Sequence, residues 1–261
     1  MRVGAQHAGE RQDASIVASS LVAVIGPPGA GKTTVVTALA QLRGLPVFRL
    51  RQALITYSDM LADLAPSTDP LGWVGIHAVH RILRAAFIDD RIGAGVGPVL
   101  LDNFPGTAQQ LHQLAEVAAV IGRSMALLEL RANGSTVAGR VATRRICTSC
   151  SSDRHAPASV SVTDPVRCAR CGAQLVRRDS DTPTRHALRL ARYRVNVDEI
   201  IEQAGCLQIP HLAVVANHPP DVVYRLAQEA FIKLTTQPGS VLRMTRGASY
   251  DYCLTHAYPS P

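Results

Sequence analysis

The sequence predicts an α/β fold: a parallel sheet of about five strands, of the kind that carries a phosphate-binding loop, flanked by helices. Three observations carry that prediction. Short apolar runs at 21–25, 46–50, 98–102, 125–130 and 207–215 alternate with helix-compatible stretches, the order that gives a parallel sheet covered on both faces. The first run leads directly into Gly26-Pro27-Pro28-Gly29-Ala30-Gly31-Lys32-Thr33-Thr34, and the third ends on Asp102. Both therefore fall at carboxyl ends of strands, where such sheets bind their ligands.

Along the chain, residues 1–18 are polar and mixed and read as a loose arm. After the strand at 21–25, the stretch Gly26 to Thr34 fits G-x-x-x-x-G-K-[ST]. Glycines let the backbone curl so that several N–H groups face one anion, the lysine adds a point charge for the terminal phosphates, and the hydroxyl ligates Mg²⁺. The candidate nucleotide-phosphate residues are Gly26, Gly29, Ala30, Gly31, Lys32, Thr33 and Thr34. Of 27 Lys and Arg residues only Lys32 and Lys233 are lysines, so an arginine-biased chain keeps a lysine where the loop needs a compact ammonium. A helix is expected over 32–42, ended by Gly44, then a strand at 46–50. Helices are expected over 52–64 and 73–92, split by Pro66, Pro70 and Gly72. In the strand at 98–102, Asp102 is read as the acid that holds Mg²⁺ directly or through water, a turn or cap aspartate being the plainer alternative. A helix over 107–122 and a strand at 125–130 follow. Thr182 as N-cap with Pro183 in the first turn opens a long helix to 204. A strand within 207–215 and a helix over 221–233 complete the core, and the residues after it, a C-terminal tail over 233–261, show no period.

The stretch 140–181 has a different character. Cys147-x-x-Cys150 and Cys168-x-x-Cys171 are separated by 17 residues, the spacing of a four-cysteine zinc site. Four thiolates leave no open position, so the zinc expected on Cys147, Cys150, Cys168 and Cys171 is structural, holding together a segment without a core of its own. Cys206 and Cys253 read as ordinary residues. Residues 140–192 also hold 11 arginines against four aspartates with no Lys or Glu, a difference equal to the whole chain's formal net charge of +7. Arg185, Arg189 and Arg192 share one helix face and read as part of a basic flap over phosphates. With 4% aromatic residues there is little surface on which nucleic-acid bases would stack, and no nucleic-acid partner is expected. No apolar run reaches membrane-spanning length and residues 1–20 lack the order of a secretory signal. A cytoplasmic monomer with no membrane partner is expected.

Taken together, residues 20–232 resemble the adenylate kinase family in its zinc-bearing, long-lid form. The phosphate loop, the Leu101-Asp102-Asn103-Phe104-Pro105 segment, Gln110, Arg140, Arg144-Arg145, the Cys168 to Arg178 stretch with the acids after it, and Arg189-Leu190 with Tyr193 fall in the family's order. The resemblance implies a core over 19–232, a monophosphate-binding insertion at about 48–80 and a lid at about 140–181. It implies γ-phosphoryl transfer from MgATP to a nucleoside monophosphate, AMP being the leading acceptor because Gln110 stands where the family reads adenine. Arg140 would lie near the ATP base, Arg144 on ATP phosphates, and Arg178 and Arg189 on the transferring group and acceptor phosphate. With Lys32 and Asp102, these arginines form the catalytic set.

The acceptor side departs from the family. Gly106 stands where an arginine is usual after Phe-Pro, and Ile55 closes the stretch aligned with the family's Thr-Gly-Asp-x-x-Arg. Each charge-assisted bond to phosphate is worth about 1.5–3 kcal/mol, so Arg49 and Arg51 are the expected replacements. They join Asn103, Phe104, Gly106, Gln110, Arg178 and Arg189 as acceptor-side candidates. Two further readings stay open: a kinase for a different or modified nucleotide, and an ATP-binding regulatory protein of the same fold.

Overall fold

The computed structural model describes residues 20–95, 97–150 and 157–236. Its centre is a five-stranded, fully parallel sheet in the order β2-β3-β1-β4-β5. The strands are β1 (Ser20–Ile25), β2 (Val47–Phe48), β3 (Val99–Asp102), β4 (Ser124–Arg131) and β5 (His211–Val215). Between them lie α1 (Lys32–Arg43), α2 (Leu50–Thr56), α3 (Ile76–Arg84), α4 (Ala108–Val120), α5 (Gly134–Thr143) and α6 (Pro183–Cys206), with α7 (Pro220–Thr236) after β5.

Strand periodicity sorts the core into two layers. Leu21, Ala23 and Ile25 point to one face of the sheet with Leu101 and Leu127, and pack against α3, α4 and α6. Val22 and Val24 point to the other with Leu100 and Leu128, and pack against α1 and α7. Alternation by two sends successive side chains to opposite faces, and helices on both faces leave every residue of β1 buried. The loops following the strand ends then gather on one edge of the sheet.

The expected elements exist, with differences that have local causes. Gly44 ends α1 in the left-handed conformation, its N–H reaching Ala40 O. Thr182 caps α6, accepting from Arg185 N, with Pro183 in the first turn. The helix expected over 52–64 is shorter, α2 followed by a 3-10 turn at Asp59–Leu61, because the sequence there offers little apolar face to the core. The one expected over 73–92 starts at Ile76 and ends in a π-helical turn at Ala85–Asp89. Helix α5 was not legible. It starts on Asn133, whose side chain accepts from Thr136 N, and buries only Val137 and Val141. The last helix runs on through Thr236 with Leu234 and Thr235 buried, so the first residues of the expected tail belong to the core. The arm at 1–18, Cys253 and the chain beyond 236 lie outside the described residues. No helix among the described residues is long and apolar enough to cross a membrane.

Candidate active site

A cavity of about 690 Å³ opens where the loops after β1, β2, β3 and β4 meet. Its floor is the loop between β1 and α1. Gly26 has φ +151°, and a Cβ there would sit 2.5 Å from Leu130 O; Gly29 has φ +95°, with Val137 O 2.9 Å from its would-be Cβ. Both positions need a residue without a side chain, because β4 and α5 press on the loop from behind. Lys32 opens α1 and turns its ammonium back into the loop, donating to Gly26 O at 2.6 Å and Pro27 O at 2.9 Å. Burial pushes Lys32 down to about 7; Asp102 opposes that shift, and the charges of Arg189, Arg144 and Arg178 add to it.

Asp102 is 6% exposed at the end of β3. Its Oδ1 accepts from Thr33 Oγ1 at 3.2 Å and its Oδ2 from Arg49 Nε at 3.1 Å. Arg49 also donates to Thr37 Oγ1 at 3.3 Å. Arg49, expected on the acceptor side, lines the cavity with its guanidinium bonded to the acid at the cavity base. Strand register explains this. Phe48 pairs with Leu101 in the β2–β3 ladder, so the next residues, Arg49 and Asp102, emerge side by side.

Above the floor, two arginines converge on one carboxylate, with a third beside them. Arg144 clamps Asp181 in two bonds, Nε to Oδ2 at 2.6 Å and Nη2 to Oδ1 at 2.5 Å. Arg189 Nη1 lies 3.8 Å from the same Oδ1. Arg178 Nε and Arg189 Nη1 are buried without a hydrogen-bond partner among the described residues. Burial, then the charges of Arg189 and Arg144, brings Arg178 down to about 10. Arg189 is lowered in the same direction by burial and then by Arg51 and Arg144. Arg51 also lines the cavity. Arg144, Arg178, Arg189 and Arg51 line one cavity in which Asp181 offsets part of their charge, a site that calls for an anion. Arg140 ties the floor down, donating to Ala30 O at 3.2 Å and His218 O at 2.8 Å.

The opposite wall carries Asn103, Gly106 and Gln110. Asn103 takes the left-handed conformation, φ 58°, which asparagine tolerates better than most residues. Gly106 N donates to Gln110 Oε1 at 2.7 Å. Ile55 lines the cavity and is 78% exposed. Not every predicted site residue reaches the wall. Gly26 sits beneath the loop, and Phe104, 1% exposed, packs edge-on to Phe48 in the core. Of the arginine face on α6, Arg189 alone lines the cavity. Arg185 is exposed, and Arg192 turns to Asp69 at 2.6 Å and covers the Trp73 ring at 5.0 Å. Several lining residues were not expected from the sequence, among them Val74, Thr143, Val223 and Trp73. No motif marks Trp73, though it is the chain's single tryptophan.

Beside the cavity, the four cysteine sulfurs lie within 4.8 Å of one another. Cys147–Cys171, Cys147–Cys150 and Cys150–Cys168 are 3.5, 3.6 and 3.7 Å apart. These are far longer than a disulfide bond, and a tetrahedral zinc with Zn–S near 2.3 Å sets its sulfurs about 3.8 Å apart. The N–H groups of Cys150 and Ser149 bring Cys147 down to about 6, and those of Arg170 and Cys171 lower Cys168, while the neighbouring sulfurs push Cys150 up to about 12, so four thiolates together call for a cation between them. The donor set fits structural zinc; the backbone bridge Ile146–Val176 joins the chain before the first cysteine pair to that after the second, and Arg167–Gln174 closes the turn that carries the second.

Comparison with known proteins agrees with this geometry. The model of the ATPase family associated with various cellular activities (AAA) matches residues 22–87, the span of β1, the phosphate loop and the helices after it. The chain is 31% identical to the adenylate kinase of Streptomyces coelicolor over 221 residues, covering 80% of this chain and 97% of that protein. It is 32% identical to that of Streptomyces avermitilis over 190 residues, 69% and 83%. To that of Haloarcula marismortui it is 27% identical over 212 residues, 80% and 95%. Likeness of that extent, with a phosphate loop, a strand-end acid and converging arginines around one cavity, means that the chain belongs to the adenylate kinase family.

Proposed function

We propose that this chain is a nucleoside monophosphate kinase that moves the γ-phosphoryl group of MgATP to a nucleoside monophosphate, AMP being the leading acceptor (ATP + AMP = 2 ADP). One observation carries the reading: Lys32, Arg144, Arg178 and Arg189 surround a single cavity, and two of the buried arginine nitrogens have no hydrogen-bond partner among the described residues. Such a cluster is stable in the presence of the phosphates whose charge it balances.

The ATP side is assigned to Gly29, Ala30, Gly31, Lys32, Thr33 and Thr34, with Gly26 shaping the loop from beneath and Arg140 and Arg144 above. The Thr33 hydroxyl and the Asp102 carboxylate are adjacent hard oxygen donors and suit Mg²⁺. Bound there, Mg²⁺ would neutralise phosphate oxygens. The acceptor side is assigned to Arg51, Asn103, Gly106, Gln110, Arg178 and Arg189, with Phe104 supporting it from the core. In the transfer, an oxygen of the acceptor phosphate bonds to the γ-phosphorus as the bond to the ADP oxygen breaks. No protein nucleophile is required. Lys32 and the arginines hold donor and acceptor in line and offset the charge on the moving group.

The insertion at about 48–80 and the zinc-held lid at about 140–181 are proposed to close over the two substrates, excluding the water that would hydrolyse ATP. A coupled ADP-release assay with AMP, CMP, UMP, GMP and dTMP tests the reading. Turnover of AMP above the others is the expected result; tight ATP binding without turnover of any monophosphate would overturn it. Gly106 and Ile55 at two acceptor-side positions favour one second reading, a kinase for a different or modified nucleotide. The same assay separates the two.

A further inference from the structure

Trp73 stands where the acceptor side departs furthest from expectation. Its Cη2 lies 3.0 Å, and its Cζ3 3.2 Å, from where a Cβ on Gly106 would be. The indole therefore fills the space that any side chain at position 106 would need. The ring is also held. Arg192 covers it at 5.0 Å and is anchored by Asp69 at 2.6 Å. The other oxygen of Asp69 accepts from Leu71 N at 2.8 Å and Trp73 N at 3.3 Å, and Ser67 Oγ donates to Trp73 O. The half-buried ring is thus held in one place, as a ring that must meet a ligand needs to be.

We propose that Trp73 is the specificity-determining wall of the acceptor half, against which the planar base of the acceptor packs, and that Arg192 and Asp69 are the positioning residues that hold it there. The inference rests on the nucleotide-acceptor reading given above. Trp73 lines the same cavity as Arg51 and Gln110, so a base on the indole keeps its phosphate on the arginine side. Gln110 complements the ring. Its Oε1 is taken by Gly106 N, which fixes the amide's orientation and leaves Nε2 as the donor it offers to a ring nitrogen or carbonyl of the base. The exchange of a charged side chain at 106 for an aromatic surface shifts recognition from phosphate toward base. Acceptor discrimination then depends on stacking, which every base supports, plus one donor.

As the chain's single tryptophan, Trp73 reports on itself. The zinc-loaded wild type is titrated with AMP, or with whichever of the five monophosphates gives turnover, while tryptophan emission is recorded. Ribose 5-phosphate and ATP alone serve as controls. A saturable emission change that follows the acceptor KM and is absent with ribose 5-phosphate is expected. Trp73→Leu should raise the acceptor KM about 5- to 150-fold, the range for loss of one base–aromatic stack, with a smaller effect on kcat and on the ATP KM. Trp73→Phe should recover part of the loss, and Arg192→Gln should raise the acceptor KM while red-shifting the emission. Turnover with no emission change, or an acceptor KM within about twofold of wild type in Trp73→Leu, would overturn the wall and leave the kinase reading standing. Absence of turnover with every monophosphate would overturn the kinase reading, and the wall with it.

Discussion

Replacing Arg178 by methionine should stabilise the nucleotide-free protein while destroying its activity. The guanidinium lies beside Arg189 and Arg144, and its buried Nε has no hydrogen-bond partner among the described residues. Its fall from the ordinary arginine value to about 10 corresponds to roughly 3 kcal/mol. The sign follows from linkage. The folded-state value lies below the unfolded one, so the unfolded chain binds more protons only between the two, and stability recovers with rising pH only in that alkaline window. At pH 7 the whole cost is present. Methionine keeps an unbranched stem and removes the charge, so after some loss of packing a gain of roughly 1–3 kcal/mol remains, equivalent to about 2–10 °C in Tm for a chain of this size. Thermal unfolding by circular dichroism, zinc present and nucleotide absent, gives the first reading. Saturating inorganic tripolyphosphate gives the second, and there the wild type should gain more than the variant because the anion relieves the same repulsion. Phosphoryl transfer should fall by at least about 10²-fold. A variant that melts at or below the wild-type temperature without the anion would refute the view that the arginine cluster is held under electrostatic strain.

Four further outcomes are expected. Lys32→Ala should lower kcat by about 10²–10³-fold or more with its fold intact by circular dichroism, and activity persisting in that variant would count against the site. Gly29→Ala places a Cβ 2.9 Å from Val137 O at φ +95°; a cost of about 1–3 kcal/mol in stability and a raised ATP KM should follow, measured by denaturant unfolding and initial rates. Metal analysis should return one zinc per chain, and Cys168→Ser should lose it together with protease resistance between residues 144 and 178; a zinc-free segment equally resistant would contradict the structural role. Arg51→Ala should raise the acceptor KM by about 10- to 100-fold with little change in the ATP KM, and an unchanged acceptor KM would remove Arg51 from the acceptor side.

Those parts of the molecule governed by local chemistry were legible from the sequence. The phosphate loop announces itself because only glycine tolerates the approach of Leu130 O and Val137 O, and the two cysteine pairs because zinc needs that spacing. The caps of α1 and α6 at Gly44 and Thr182 follow from the same kind of short-range rule. What was not legible depends on pairs far apart in the chain. Arg49 meets Asp102 across 53 positions and Arg192 meets Asp69 across 123. Only the strand register and the docking of α6 on the insertion decide those partners. Phe104 was given to the acceptor by motif, yet its neighbours Phe48 and Leu101 draw it into the core. Helix α5 buries only two residues, too few for its periodicity to stand out.

The order β2-β3-β1-β4-β5 has an evolutionary consequence. Arg51, Asn103, Gly106 and Gln110 of the proposed acceptor side follow β2 and β3 on one side of the central strand, and the proposed ATP contacts follow β1 and β4, where Arg178 and Arg189 also stand. A substitution in the first group leaves the phosphate loop untouched. Gly106 and Ile55 both stand off the β2–β3 side, and the loop around Lys32 follows β1. Such a scaffold lets a lineage try new acceptors while its phosphate donor stays the same.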